Sequence, residues 1–553
     1  MVPSQIGNLR NLKILNLQSC NLAGIVPNTI FNISTMEELA LSDNQLSGHL
    51  PSSIDSGLPN LKKLYLRGNH FRGTIPKSIS NVSKLSVLNL GSNLISGSIP
   101  SEIGNLPNLL ELWLPNNSLT GFIPSTIFNM SKLEVISLLM NRLSGKLPSS
   151  IGLRLPNLKE LYLWGNELDG VIPNSISNAS QLIILELGEN SFSGPVPTTL
   201  GKLRYLQRLN IESNQLTGEP STQELTFLSS LTNCQHLKRL VLNNNPLDGT
   251  LPTSIGNLYS IQIFLAVNCK IKGKIPQGIG NLSNLTALRL SKNQLTGSIP
   301  IEIGKMRQLQ VLYLYGNRLQ GSIPSEICNL RNLGDLYLSY NKFFGSVPTC
   351  LGDIASLRAL HLNSNNLTST IPSSMWNLKD ILDINLSNNS LMGKLPLDMG
   401  KLRLVGSDAI NSWEMDSGSK GGKGLGKESF TKSQNIPHFE EGNHKRTIRS
   451  GEDVDAPLQS GIVRVFEPPG IEAPSDEDDF IEVRSKRQML NDRREQREKE
   501  IKEKSRVTKV MALTQTLLDE AMNPAQFDSR VSVKDHTSSV GDPGMPSSRD
   551  GGS

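Results

Sequence analysis

Self-similarity at a period of 24 residues constrains this chain more than any other feature. The segments LRLSKNQLTGSIPIEIGKMRQL (288–309) and LYLYGNRLQGSIPSEICNLRNL (312–333) match position by position, one period apart. The polar position of the L-x-L-x-x-N-x-L core recurs at Cys20, Asn44, Asn69, Asn93, Asn117, Asn141, Asn166, Asn190, Asn214, Asn245, Cys269, Asn293, Asn317, Asn341, Asn365 and Asn389. That makes 16 repeats, 14 of them with asparagine. A unit this short cannot bury its apolar side alone, so it must stack on its neighbours. The expected fold is an α/β repeat solenoid over residues 1–405.

Each repeat position has a physical reason. Leucines such as Leu312, Leu314 and Leu319 should point inward. The ladder asparagines should turn inward too, satisfying backbone groups at the bend between coils, because a buried polar group left unpaired costs about 1–3 kcal/mol. Cys20 and Cys269 substitute there as small, buriable residues. In the Gly-x-Ile-Pro element, as at Gly297–Pro300, glycine relaxes the turn and proline holds the backbone extended. One spacing differs: Asn214 to Asn245 is 31 residues. The insertion near 219–237 carries Leu225, Leu228 and Leu231, a pattern that predicts one face of a short helix.

The chemistry changes at residue 405. Residues 1–405 hold 33 Lys and Arg against 23 Asp and Glu, and residues 406–553 hold 22 against 27. We expect a disordered Gly/Ser/acidic linker over 406–481, too polar to bury a core. A charged single helix should follow over 482–523, its opposite charges spaced three and four apart, and then a disordered end over 524–553. Within the helix, Lys486, Arg487, Arg493 and Arg494 are interspersed with acidic residues, which reads as a solvated face and not as a nucleic-acid contact.

The L-x-G-x-I-P signature, the I-G-N-L segments at 103–106, 255–258 and 279–282, and FLSSLTNC at 227–234 carry a resemblance. Residues 1–405 resemble the ectodomain of plant leucine-rich-repeat receptor-like kinases, in the group that senses flagellin and elongation factor. The resemblance implies a plant-type superhelix that recognises a peptide or protein ligand outside the cell, with a receptor-kinase co-receptor, in defence signalling at the plasma membrane. The pattern departs from that family in having no signal peptide, paired-cysteine cap, membrane span or kinase segment, which reads as a truncated ectodomain. The tail resembles a stretch of large, mostly disordered intracellular plant proteins of the proline-rich, coiled-coil type. Two readings stay open: a receptor-like binding module, or an intracellular interaction scaffold with a flexible, nuclear-directed tail. Joined together, the two resemblances also suggest a chimeric product.

Strand residues between the buried leucines should face the concave side. They are Lys63, Tyr65, Arg67, Glu111, Trp113, Glu160, Tyr162, Trp164, Arg208, Asn210, Glu212, Tyr313, Tyr315, Asp335, Tyr337 and His361. Exposed aromatics beside charges are what recognition surfaces use, and the group Trp113, Tyr162 and Trp164 stands out. Asn-x-Ser/Thr sequons occur at Asn32, Asn81, Asn116, Asn129, Asn178, Asn281, Asn284, Asn366, Asn385 and Asn388, all before residue 405, and suit a glycosylated surface.

Enzyme chemistry finds little support. GGKGLGKE at 421–428 places Glu428 where a phosphate loop needs Ser or Thr, and a linker reading is preferred. Neither an H-R-D nor a D-F-G triplet is present, and the seven histidines show no ligand or triad spacing. The five cysteines have no zinc spacing and their pairing stays open. We expect no cofactor, metal, nucleic acid or membrane span.

Overall fold

The computed structural model describes residues 1–393. The end of the repeat domain up to 405, the linker at 406–481, the charged helix at 482–523 and the segment at 524–553 lie outside the described residues.

In each coil the L-x-L stretch forms a three-residue strand, such as Val311–Tyr313, whose central leucine is buried while its neighbours face outward. Sixteen of these strands pair in parallel and in chain order, from Ile14–Asn16 to Asp383–Asn385. The register joins equivalent positions, so Leu288, Leu312 and Leu336 lie side by side. Leu312, Leu314 and Leu319 are fully buried in a core that runs without a break from Val2 to Ile381.

The ladder asparagine closes each bend. Asn293 accepts the backbone N–H groups of Cys269 and Ile271 in the preceding coil at 2.9 and 3.0 Å. Its amide donates to the carbonyls of Ala266, Leu290 and Ser291. One side chain thus satisfies the backbone of two coils, a direct answer to the cost of burying unpaired peptide groups. Cys269 is buried as expected, but Cys20 is exposed, a correction that follows from its place in the first coil.

Past the bend, the residues before Gly-x-Ile-Pro form a second parallel sheet along the flank. Nine strands from Ala23–Ile25 to Gln215–Thr217 are followed by five from Lys272–Lys274 to Asn366–Leu367. Gly297 ends its strand at φ +76°, a conformation that favours glycine. The gap between the two sets lies in the 31-residue repeat, where isolated bridges link Glu224, Thr250 and Lys272. This repeat carries the helix Thr226–Leu231, with Leu225, Leu228 and Leu231 buried, and Phe227 buried beside them.

The convex side is built mostly of short 3-10 turns. Apart from Thr226–Leu231 and the single turn Ile54–Gly57, its helices in the described residues are one-turn 3-10 segments such as Ser101–Asn105. Little of a 24-residue coil is left for the return side, and a 3-10 turn covers more length per residue than an α-helix. All of them but Ile127–Asn129 begin directly after proline. Pro100, at φ −62° and ψ 132°, offers its carbonyl to the N–H of Ile103. Two adjacent convex turns, Ser325–Asn329 and Thr349–Asp353, are joined by a Cys328–Cys350 disulfide with Cα atoms 5.8 Å apart.

Candidate ligand-binding face

The outward residues of the 16-stranded sheet form the concave face, in rows one strand apart. One row passes through Asn89, Trp113, Ser137, Tyr162, Glu186 and Asn210. Here the structure corrects the exposure expected of Trp113, Tyr162, Trp164 and Asn210: all four are buried, Tyr162 at 1% exposed and Trp164 at 2%. The cause is the size of their neighbours. Trp113 and Tyr162 close over Ser137, their ring centroids 6.1 Å apart, and Trp164 lies on Gly188, where a Cβ would come within 2.6 Å of the indole. Trp113 Nε1 donates to Glu111 and Tyr162 Oη to Glu160, at 2.8 and 2.9 Å. These rings tile the floor of the face and do not project from it.

Farther along, the aromatic residues keep partial exposure. The Arg289 guanidinium sits 4.7 Å from the centroid of the Tyr313 ring. Tyr313 stacks on Tyr337 at 4.4 Å and 11°, and Tyr337 on His361 at 4.1 Å and 5°. His361 Nε2 lies 2.6 Å from an Asp383 carboxylate oxygen, and Tyr313 Oη donates to Asp335 at 2.9 Å. Tyr315 is tilted against both Tyr313 and Tyr337. Burial and the Asp335 carboxylate hold the Tyr313 hydroxyl in its neutral form, with its pKa raised. Sequence reasoning missed Arg289 and Asp383. Arg289, Tyr313, Tyr337 and His361 are spaced by one period, so reading down a repeat column would have found the arginine.

Charged residues occupy the remaining concave positions. Lys63, Tyr65 and Arg67 are half-exposed, with Lys63 Nζ 3.6 Å from Glu38. Glu212 accepts from Asn243 Nδ2 at 2.9 Å. Arg208 Nε lies 3.9 Å from Glu186, whose side chain is almost wholly buried. Burial pushes the Glu186 carboxyl up to about 7, against the lowering effect of Arg208, Asn210 and Arg239. Burial also raises Glu160, opposed first by the Tyr162 hydrogen bond.

The sequons fall elsewhere. Asn32, Asn81, Asn129, Asn178 and Asn281 are exposed at the last position of convex 3-10 turns. Asn116, Asn284, Asn366 and Asn388 are also exposed, but the Asn284 amide donates to the Tyr259 carbonyl at 2.8 Å. Asn385 is half-buried on the concave row and accepts from the Ser387 N–H. Among the described residues, no group of three or more His, Cys, Asp or Glu could hold a metal ion, and no helix is long and apolar enough to cross a membrane.

Family models described as leucine-rich repeat match residues 10–71, 59–119, 156–216 and 283–343, with a second such model over 236–258 and 356–378. The chain belongs to the leucine-rich-repeat family. Its curated relatives are plant receptor-like kinases: it is 43% identical over 89 residues both to receptor kinase-like protein Xa21 of Oryza sativa subsp. japonica and to the LRR receptor-like serine/threonine-protein kinase EFR of Arabidopsis thaliana. Each match spans 16% of this chain and 8% of the relative. The leucine-rich-repeat solenoid has the fold of plant receptor ectodomains. It is similar to the plant peptide hormone receptor RGFR1 in complex with RGF2, at a TM-score of 0.69 and 36% identity over 73% of this chain and 64% of that one. It is also similar to the Arabidopsis receptor kinase HAESA in complex with the peptide hormone IDA and the co-receptor SERK1, at 0.66 and 34% over 72% and 65%.

Proposed function

We propose that this leucine-rich-repeat solenoid recognises a peptide or protein ligand on its concave face, centred on the column Arg289, Tyr313, Tyr337 and His361. The observation that carries the reading is the stacking of that column. Rings already held by their neighbours lose little freedom when a partner arrives, and Tyr and Arg are the residues on which binding energy concentrates. Asp335 and Asp383 supply acceptors at its edge. The receptors named above were solved with peptide ligands, one of them with a co-receptor as well, and both kinds of partner are carried over to this chain. A part in plant defence signalling is the finer form of the reading. It rests on the resemblance of the L-x-G-x-I-P and FLSSLTNC segments to the flagellin- and elongation-factor-sensing group.

Peptides selected from a displayed random library on the full chain test this. Affinity should fall about tenfold or more on Tyr337→Ala or Arg289→Ala. It should be unchanged by Glu326→Gln, which lies on the convex turn Ser325–Asn329. Peptides that ignore both column variants and protect the convex turns from hydrogen exchange would overturn the reading.

The Cys328–Cys350 pair and the exposed sequons support maturation in an oxidising, glycosylating compartment. Loss of mass on enzymatic deglycosylation of chain made in plant cells is the expected result. An unglycosylated chain with free thiols at both cysteines would favour the intracellular scaffold.

A further inference from the structure

Three glutamates cross the concave floor on a diagonal. Glu160 and Glu186 lie on neighbouring strands, Glu160–Tyr162 and Ile184–Glu186, and Glu212 follows the next strand, Arg208–Asn210. The register pairs Tyr162 with Glu186 and Glu186 with Asn210, so each carboxylate is set two residues further along than the last. With strands about 4.8 Å apart and a rise of about 3.3 Å per residue, successive Cα atoms on the diagonal lie about 8 Å apart.

The middle carboxylate is poorly compensated. Glu186 is 1% exposed, and its Oε2 has no hydrogen-bond partner. Its other oxygen lies 3.9 Å from Arg208 Nε, a guanidinium that also acts on Glu160. The groups that act on it are Arg208, the Asn210 amide, Arg239 and Glu212, and it faces Tyr162, on which Glu160 also acts. Glu111 adds to the field at Glu160. Four carboxylates therefore share two guanidinium groups and the Lys159 ammonium. A buried carboxylate is costly unless paired with a cation, and a further positive charge over the diagonal would supply the missing partner.

We propose that the diagonal Glu160, Glu186 and Glu212 is the subsite for a positively charged group of the ligand, such as a lysine or arginine side chain or a terminal amine, and that the charge enters in exchange for a proton on Glu186. This deepens the concave-face reading and rests on it. The proton follows from burial, which keeps Glu186 partly protonated near neutrality. An incoming cation favours the ionised carboxylate, so the proton leaves to solvent and charge balances. Affinity for the cation should accordingly rise as the pH passes upward through about 7.

Penta-lysine amide is a suitable probe, since a chain of net charge +5 has no general attraction for a polycation. Calorimetric titration of the full chain at pH 6.5, in two buffers of different ionisation enthalpy, measures proton release. We expect binding with net proton release, weakening about tenfold from pH 7.5 to pH 5.5. Glu186→Gln should abolish both the release and the pH dependence. Glu160→Gln and Glu212→Gln, at half-exposed positions that do not threaten folding, should each weaken binding about fivefold, and Glu326→Gln on the convex side should change nothing. Absence of penta-lysine binding, or binding without proton release that ignores all three diagonal variants, would overturn the subsite. Library peptides that still depend on Tyr337 would in that case leave the concave-face reading standing.

Discussion

The ring of Tyr337 lies against the imidazole of His361, one repeat farther on, with centroids 4.1 Å apart and planes 5° from parallel. The solenoid turns a 24-residue separation into van der Waals contact, and a stacked pair of this kind is worth about 0.5–1.5 kcal/mol. Tyr337→Ala and His361→Ala should therefore be coupled by roughly that amount in a double-mutant cycle followed by urea unfolding. Additivity within about 0.3 kcal/mol would show that the stack contributes nothing beyond its separate contacts.

Asn293→Ala should be among the most damaging single changes. It strands the N–H groups of Cys269 and Ile271 and the carbonyl of Ala266 at once. A loss of about 3 kcal/mol or more is expected from several buried groups left unpaired. Faster amide exchange should be confined to the two coils that Asn293 joins.

At Cys269 the sequence itself lacks the ladder asparagine. In the regular coils the ladder asparagine accepts the N–H of the leucine 22 residues earlier, as Asn317 does from Leu295. Cys269 has no such acceptor to offer, and the Leu247 N–H turns instead to the Asn245 carbonyl at 2.9 Å. No flank strand forms in that coil. Cys269→Asn should restore the acceptor and slow exchange at the Leu247 amide; unchanged exchange would assign the gap in the flank sheet to Pro246 and the insertion alone.

Stability should depend on pH through Glu186. Its carboxyl is raised by burial from 4.5 to about 7 in the folded chain, so the folded state holds a proton that the unfolded state has released between those values. The stabilising contribution is complete below about 4.5 and is lost as the pH rises through about 7, an effect on the order of 3 kcal/mol. Glu186→Gln should remove this slope and melt at a higher temperature than the parent at pH 8. Identical pH profiles for the two proteins would refute the assignment.

Glycopeptide mapping should find sugar on Asn32, Asn129, Asn178 and Asn281, whose exposed amides end convex turns. Occupancy should be lower at Asn284, whose amide holds the Tyr259 carbonyl, and at half-buried Asn385. Equal occupancy at Asn281 and Asn284 would mean that modification precedes coil closure.

The period, the inward leucines and the ladder asparagines were legible because each is a local rule repeated in at least 14 of 16 coils, and repetition averages away the accidents of any single coil. The candidate site was legible in part. Alternation along a strand identifies which residues leave the core. Alternation is silent about what stands beside them. Whether Trp164 projects or lies flat depends on Gly188 and whether Tyr162 is covered depends on Ser137, both in other coils. The disulfide escaped for a related reason: the separation of Cys328 from Cys350 is 22 residues and not a full period, and stacking of adjacent convex turns is what brings them together.

By itself, then, the sequence determined that this chain is a solenoid of 24-residue coils with a polar ladder at each bend, since those features follow from the burial demands of one repeat against an identical neighbour. Only the tertiary structure decided which aromatic residues became floor and which remained a recognition column, and that a glutamate lies buried in the middle of the face. Those outcomes depend on the side chains that neighbouring coils place in the same row, where the repeats differ from one another.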